Sequence, residues 1–199
     1  MTPISRSARL AAVAAAGCLA FAGAAHAAEP GYTYVEAGYV TLDLDEPVDS
    51  LDAITLGGSL AVTDRVHLFA TYLDGDADAD AFGTRFSVDT TQWTVGGGLN
   101  VPVAAGTDFV GRLAYLKVEA EAFDFEEDGD GYALSAGLRS RQGPWELEGF
   151  VVYEDVEDED DTRVELGARW FFTDALSAGA LASLGENTGI GLSVRYEFE

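Results

Sequence analysis

The chain has 199 residues, 48% of them hydrophobic, with 35 acidic against 11 basic side chains and a formal charge of −24. That charge excludes a polyanion such as nucleic acid as a partner. The hydrophobic fraction in turn excludes an acidic disordered chain, which would need low hydrophobicity, so the acids and the apolar residues must be segregated.

Arg6 and Arg9 precede an alanine-rich apolar run over 10–25, and Ala25-His26-Ala27-Ala28 supplies small residues for cleavage. This is the pattern of a secretory signal peptide over 1–28. Gly17 and Gly23 interrupt the run, which falls short of the roughly 20 strongly apolar residues of a spanning helix. Cys18, the only cysteine, follows Ala15-Ala16-Gly17 as a lipoprotein cysteine would, but Ala15 stands where such signals usually carry Leu. The expected mature chain, 29–199, is one domain without a thiol, which suits an exported protein. Loss of Arg6 and Arg9 leaves nine basic residues against 35 acids, a charge of −26.

Ten segments then follow with period-2 alternation: 32–42, 51–62, 66–73, 91–101, 108–118, 131–141, 145–153, 162–172, 176–184 and 188–198. In the last of them Ile190, Leu192, Val194, Tyr196 and Phe198 share one face, opposite Ser193, Arg195 and Glu197. The fourth sets Trp93, Val95, Leu99 and Val101 against Gln92, Thr94 and Asn100, and the eighth sets Val164, Leu166 and Trp170 against Arg163, Glu165 and Arg169. Alternation alone also fits a soluble sandwich. Connection length decides against it, because 63–65, 142–144 and 173–175 are short whereas 74–90, 119–130 and 154–161 are long, the asymmetry of a membrane barrel. Charge follows length, with 24 of the 35 acids in the five odd-numbered connections. Aromatic residues collect near that end (Tyr39, Tyr72, Trp93, Tyr115, Tyr132, Tyr153) and again at the other (Phe109, Trp145, Trp170, Phe172, Phe198), as two interfacial girdles. The expected fold is all-β: a closed antiparallel up-and-down transmembrane β-barrel of ten strands, or of eight if a weak hairpin around the alanine-rich segment 176–184 is misread.

The closing Tyr196-Glu197-Phe198 resembles the C-terminal assembly signal of outer-membrane barrels, with Glu199 as one extra residue. The opening run from Tyr32 to Val40, the hairpin at Val66-His67-Leu68-Phe69, Gln92-Trp93 and Asp130-Gly131-Tyr132 are similar to a family of small outer-membrane proteins of the diffusible-signal or immunity-activator kind, among OmpA/OmpX-like barrels. The resemblance implies the fold, an outer-membrane location and delivery by the barrel assembly machinery. Signalling is not carried over.

Asp74, Asp76, Asp78 and Asp80 alternate as in a calcium loop, but Ala79 and Arg85 stand where an EF-hand needs Gly and Glu. The reading is a solvated acidic connection, with loosely associated Mg²⁺ or Ca²⁺ as the functional alternative and no dedicated cofactor. The same applies to Asp158, Asp160 and Asp161. Expected partners are outer-membrane lipid and lipopolysaccharide. By parity Glu36, Arg112, Arg139, Glu146, Glu148, Arg163, Glu165, Arg169 and Arg195 enter the lumen, where ion pairs would form a plug in preference to a channel. His67, the one histidine after the signal, is expected at the lumen edge or the interface on the short-turn side, which argues against an enzyme.

Overall fold

The computed structural model describes residues 28–43, 48–81, 84–122, 125–157 and 159–198; the expected signal peptide, apart from its last residue, and Asp158 lie outside them. Ten strands follow in order: β1 (Tyr34–Asp43), β2 (Val48–Ala61), β3 (Val66–Ala81), β4 (Thr84–Ala104), β5 (Thr107–Ala122), β6 (Phe125–Gln142), β7 (Trp145–Val156), β8 (Glu159–Phe171), β9 (Leu176–Leu184) and β10 (Thr188–Glu197). Each pairs antiparallel with its neighbours in sequence, and β1 pairs with β10 to close the barrel. The closing seam runs from Tyr34↔Glu197 to Asp43↔Thr188. Closure leaves no sheet edge, which is the condition for a β-structure in lipid. The alanine-rich segment is a full strand, β9, so the count is ten and not eight.

The short turns repeat one device. Thr63 Oγ1 accepts from the Arg65 and Val66 amides at 3.2 and 3.0 Å, and Thr173 Oγ1 accepts from the Ala175 and Leu176 amides at 3.3 and 2.9 Å. In both, a threonine hydroxyl folds the turn that its Thr-Asp sequence begins. The β6–β7 turn needs Gly143 at φ 59° ahead of Pro144, and the β4–β5 turn needs Gly106 at φ 66°.

At the other end, the long acidic connections are not loops. β3 and β4 stay paired out to Ala81↔Thr84, β5 and β6 to Ala122↔Phe125, and β7 and β8 to Val156↔Glu159, so the expected connections 74–90, 119–130 and 154–161 are mostly β-ribbon. Alternation persists through them, and the return strand of the first ribbon carries β-formers such as Thr84, Phe86, Val88 and Thr90.

The two faces exchange character along each long strand. Within the band, β3 shows Leu68 outward and buries His67 inward, and β10 shows Ile190 and Leu192 outward, 70% and 67% exposed, and buries Arg195. Beyond Tyr72 the polarity inverts: Asp74 and Asp76 take the outward positions, while Ala77 is buried inward with Leu51 and Ala53, packed by Val40, Leu42, Leu73 and Val88. On β5, Leu116 is buried inward while Glu119 and Glu121 share the outward face with Lys117. An apolar exterior is stable only in an apolar solvent, and an acidic one only in water. The inversion marks where the surrounding medium changes.

Candidate functional site

β6, β7, β8, β10 and β1 send their lumen-facing side chains into one ionic cluster near the short-turn end. Arg139 Nη2 donates to Glu146 Oε1 at 2.9 Å and Nη1 donates to the Gly31 carbonyl at 2.6 Å. Glu146 Oε1 also accepts from Arg195 Nη1 at 3.2 Å and has Arg169 Nε at 3.9 Å, so three guanidinium groups surround one carboxylate oxygen. Glu36 Oε2 accepts from Arg169 and Arg195, each at 2.6 Å. The parity argument had brought these residues to one face, and the closed barrel brings them into contact.

Two pairs lay outside the lumen set read from the sequence as ion-pair candidates. Arg141 donates to Glu197 Oε2 at 2.8 Å and to the Asp174 carbonyl at 3.3 Å, with its guanidinium 3.6 Å above the Phe171 ring. Tyr32, expected to open the first strand, precedes it instead, and its buried hydroxyl donates to Asp108 Oδ2 at 2.8 Å. The parity of Arg141 with Arg139 was the available signal for the first. Nothing local signals the second, because 76 residues separate its partners. Arg112, Arg139, Arg141, Arg169 and Arg195 face Glu36, Asp108, Glu146, Glu148 and Glu197, so the plug carries no net formal charge.

His67 corrects an expectation. It is 2% exposed, inside the lumen and not at its edge, stacked on Tyr32 with ring centroids 4.7 Å apart. Its ring lies against Gly98, where a β-carbon would collide with it, so the glycine makes room for the imidazole. Arg112, expected in an ion pair, has none among the described residues; it lies over the Phe150 and Phe69 rings, 4.5 and 5.8 Å from their centroids. A cavity of about 160 Å³ opens beside it against β1, β2 and β3.

Toward the ribbon end, Arg163 is clasped by Glu154 at 2.6 Å, Glu165 at 2.9 Å and Asp161 at 3.6 Å. Asp52, Asp76 and Asp89 stand in register across β2, β3 and β4, and Asp52 accepts from Thr41 at 2.7 Å. Asp74 and Asp160 are exposed, while Asp158 and the side chains of Asp78 and Asp80 lie outside the described residues. Among the described residues no three His, Cys, Asp or Glu side chains are grouped to hold a metal ion. The girdles show as ring pairs: Tyr72 with Trp93 at 4.5 Å on the ribbon side, and Trp145 with Trp170 at 4.7 Å and Tyr196 with Phe198 at 5.1 Å on the short-turn side.

Solved structures with this architecture include two autotransporter domains and an outer-membrane protein. The β-domain of the Bordetella autotransporter BrkA aligns with a TM-score of 0.51 at 12% identity, covering 85% of this chain and 100% of that one. The outer-membrane protein OprG from Pseudomonas aeruginosa gives 0.50 at 12% identity over 88% and 99% of the two chains. The translocator domain of the autotransporter NalP from Neisseria meningitidis gives 0.50 at 16% identity over 97% and 95%. The chain shares their fold. No protein-family model and no curated sequence matches it. Chemically, the lumen offers a neutral but highly polar plug on one wall and a small mixed cavity on the other.

Proposed function

We propose that this chain is an exported outer-membrane barrel that spans the bilayer as a sealed cylinder and presents acidic β-ribbons at the cell surface. The reading rests above all on the inversion of face polarity at the outer girdle, which matches a lipid band below and water above. The similarity of fold to an outer-membrane protein and two autotransporter barrels is consistent with it. The signal sequence would direct export, the closing Tyr196-Glu197-Phe198 would engage the barrel assembly machinery, and the ribbons would meet lipopolysaccharide through bridging Mg²⁺ or Ca²⁺. The role is structural and interactive, and not enzymatic: the one histidine after the signal is buried and stacked, away from the surface. The mature charge of −26 speaks against nucleic acid. No signalling role is proposed.

The observation that favours a sealed lumen over a porin-like channel is the web of Arg139, Arg169 and Arg195 on Glu36 and Glu146. Opening a path through it would strip buried charges of their partners, at several kcal/mol per ion. Planar-bilayer recordings of the refolded chain test this. Quiet traces with rare, brief openings are expected, and sustained ion-selective openings would replace the plug with a pore. Recovery of the native protein in the soluble periplasmic fraction would overturn the location.

A further inference from the structure

We infer that the lumen cavity beside Arg112 is a binding site for a small aromatic carboxylate. Among the lumen arginines of the described residues Arg112 alone has no carboxylate within ion-pair distance: Arg139, Arg141, Arg163, Arg169 and Arg195 each have one at 3.5 Å or less. Glu36 borders the same cavity and holds Arg169 and Arg195 through its Oε2, but among the described residues it makes no ion pair with Arg112. A guanidinium held only against two phenyl rings in a partly buried site lacks its natural complement, a planar anion that it can bind through two parallel N–H bonds.

The opposite wall is formed by His67. His67 borders the cavity and is almost wholly buried, with its two ring nitrogens covered by protein. Asn100 Nδ2 donates to the Asp64 carbonyl at 3.0 Å, and its Oδ1 stays available to the imidazole as an acceptor. In either protonation state the imidazole keeps at least one N–H to donate. Buried polar groups in native proteins are normally paired, so the guanidinium of Arg112, without a carboxylate, points to a group that supplies oxygen acceptors.

The size and walls of the cavity name the rest of the ligand. At about 160 Å³ it is close to the roughly 150 Å³ that accommodates a benzene ring in a protein interior. Phe69 and Tyr34 supply aromatic walls, Thr55 and Thr71 add two hydroxyls, and Gly57 faces the space without a side chain. A β-carbon at Gly57 would come within 3.2 Å of the Thr71 hydroxyl and narrow it. A benzoate-sized acid places its ring between these walls and its carboxylate on Arg112. The inference concerns the lumen alone and stands or falls independently of where the ribbons point.

Binding of benzoate to the refolded full chain in detergent micelles, followed by calorimetry and saturation-transfer NMR, tests it, with benzyl alcohol and acetate as partial mimics. Saturable benzoate binding is expected, at least tenfold tighter than either mimic. Arg112→Gln should weaken it at least tenfold, and Thr71→Leu, which fills the cavity while leaving the cation, should do the same. Heat-modifiable migration on gels verifies that each variant is folded, and the lipid-facing Val95→Ala should bind as the parent does. If Arg112→Gln does not fold, Thr71→Leu and the comparison with benzyl alcohol decide. Absence of saturable binding to the folded parent, equal binding of benzyl alcohol, or benzoate affinity unchanged in a folded Arg112→Gln would each overturn the inference.

Discussion

Arg139 and Glu146 meet at 2.9 Å across the β6–β7 hairpin with each side chain only 1% exposed, the most deeply buried ion pair among the described residues. Their strands are joined by the tight Gly143-Pro144 turn, so the pair is local in sequence, yet Arg195 from the closing strand reaches the same carboxylate oxygen at 3.2 Å. One carboxylate thereby couples a hairpin to the barrel seam.

Glu146→Gln removes the charge that compensates Arg139 and Arg195 without changing side-chain shape. Breaking a buried pair on one side costs about 3 to 5 kcal/mol. Urea unfolding of the micelle-bound barrel should show a loss of that order, and bilayer recordings should show more frequent openings than the parent. A Glu146→Gln barrel as stable and as quiet as the parent would mean that the network neither holds nor seals the lumen.

The two faces of a strand are tested on β10 and β4. Leu192→Arg places a cation in the apolar band and should cost roughly 2 to 4 kcal/mol if it lies near the midplane. Ser193→Arg is a poor control, because Ser193 Oγ accepts from Arg169 at 3.3 Å and a new guanidinium would enter the plug. Thr94→Arg, lumen-facing, should be milder than Val95→Arg beside it. Equal losses at 94 and 95 would refute the assignment of faces.

Tyr32→Phe leaves Asp108, a buried acceptor, without the 2.8 Å bond that it receives from the phenol. A loss of about 1 to 3 kcal/mol is expected. His67 stacking should survive, since the ring remains. The doubly changed Tyr32→Phe, Asp108→Leu protein should recover part of the loss, because both polar partners are then gone. Full additivity of the two changes in urea melts would show that the bond contributes nothing.

The register of Asp52, Asp76 and Asp89 places like charges side by side on three strands, closer than the roughly 8 Å Debye length at physiological ionic strength. Millimolar Mg²⁺ should slow protease cleavage of the ribbons relative to chelator. Replacing these three residues by Asn should shrink the difference, and replacing Asp160 should shrink it further. Cleavage rates indifferent to Mg²⁺, chelator and substitution alike would leave the ribbons as a solvated repulsive surface only.

Glu157 is the one non-glycine residue with positive φ among the described residues, at 55°, in the turn between β7 and β8. Glu157→Gly relieves that conformation and removes one like charge. The ribbon should gain up to about 1 kcal/mol, read as slower amide exchange across Val156 and Glu159. Faster exchange there would show that the side chain holds the turn.

Period-2 alternation by itself determined the all-β class and the facing of residues such as Leu192, Val95, Arg139 and Arg195, because a strand has only two faces and a one-residue slip would reverse them all, while the choice of ten strands over eight came with β9 in the structure. The Thr-Asp turns and the aromatic girdles were legible for the same local reason. Strand ends were not, since the acidic stretches read as loops by composition while ladder pairing with a β-prone return strand carried them on as ribbon. Only closure of the barrel decided who meets whom in the lumen: Glu36 with Arg169 and Arg195, Tyr32 with Asp108, Arg141 with Glu197, partners 56 to 159 residues apart. Parity names the face a side chain takes, but contact across a lumen depends on strand stagger and on distances around the circumference, which no local pattern encodes. For that reason the unpaired Arg112 and the buried His67, which read in sequence as one more ion-pair member and an edge histidine, emerged as neighbours on one cavity only in the tertiary structure.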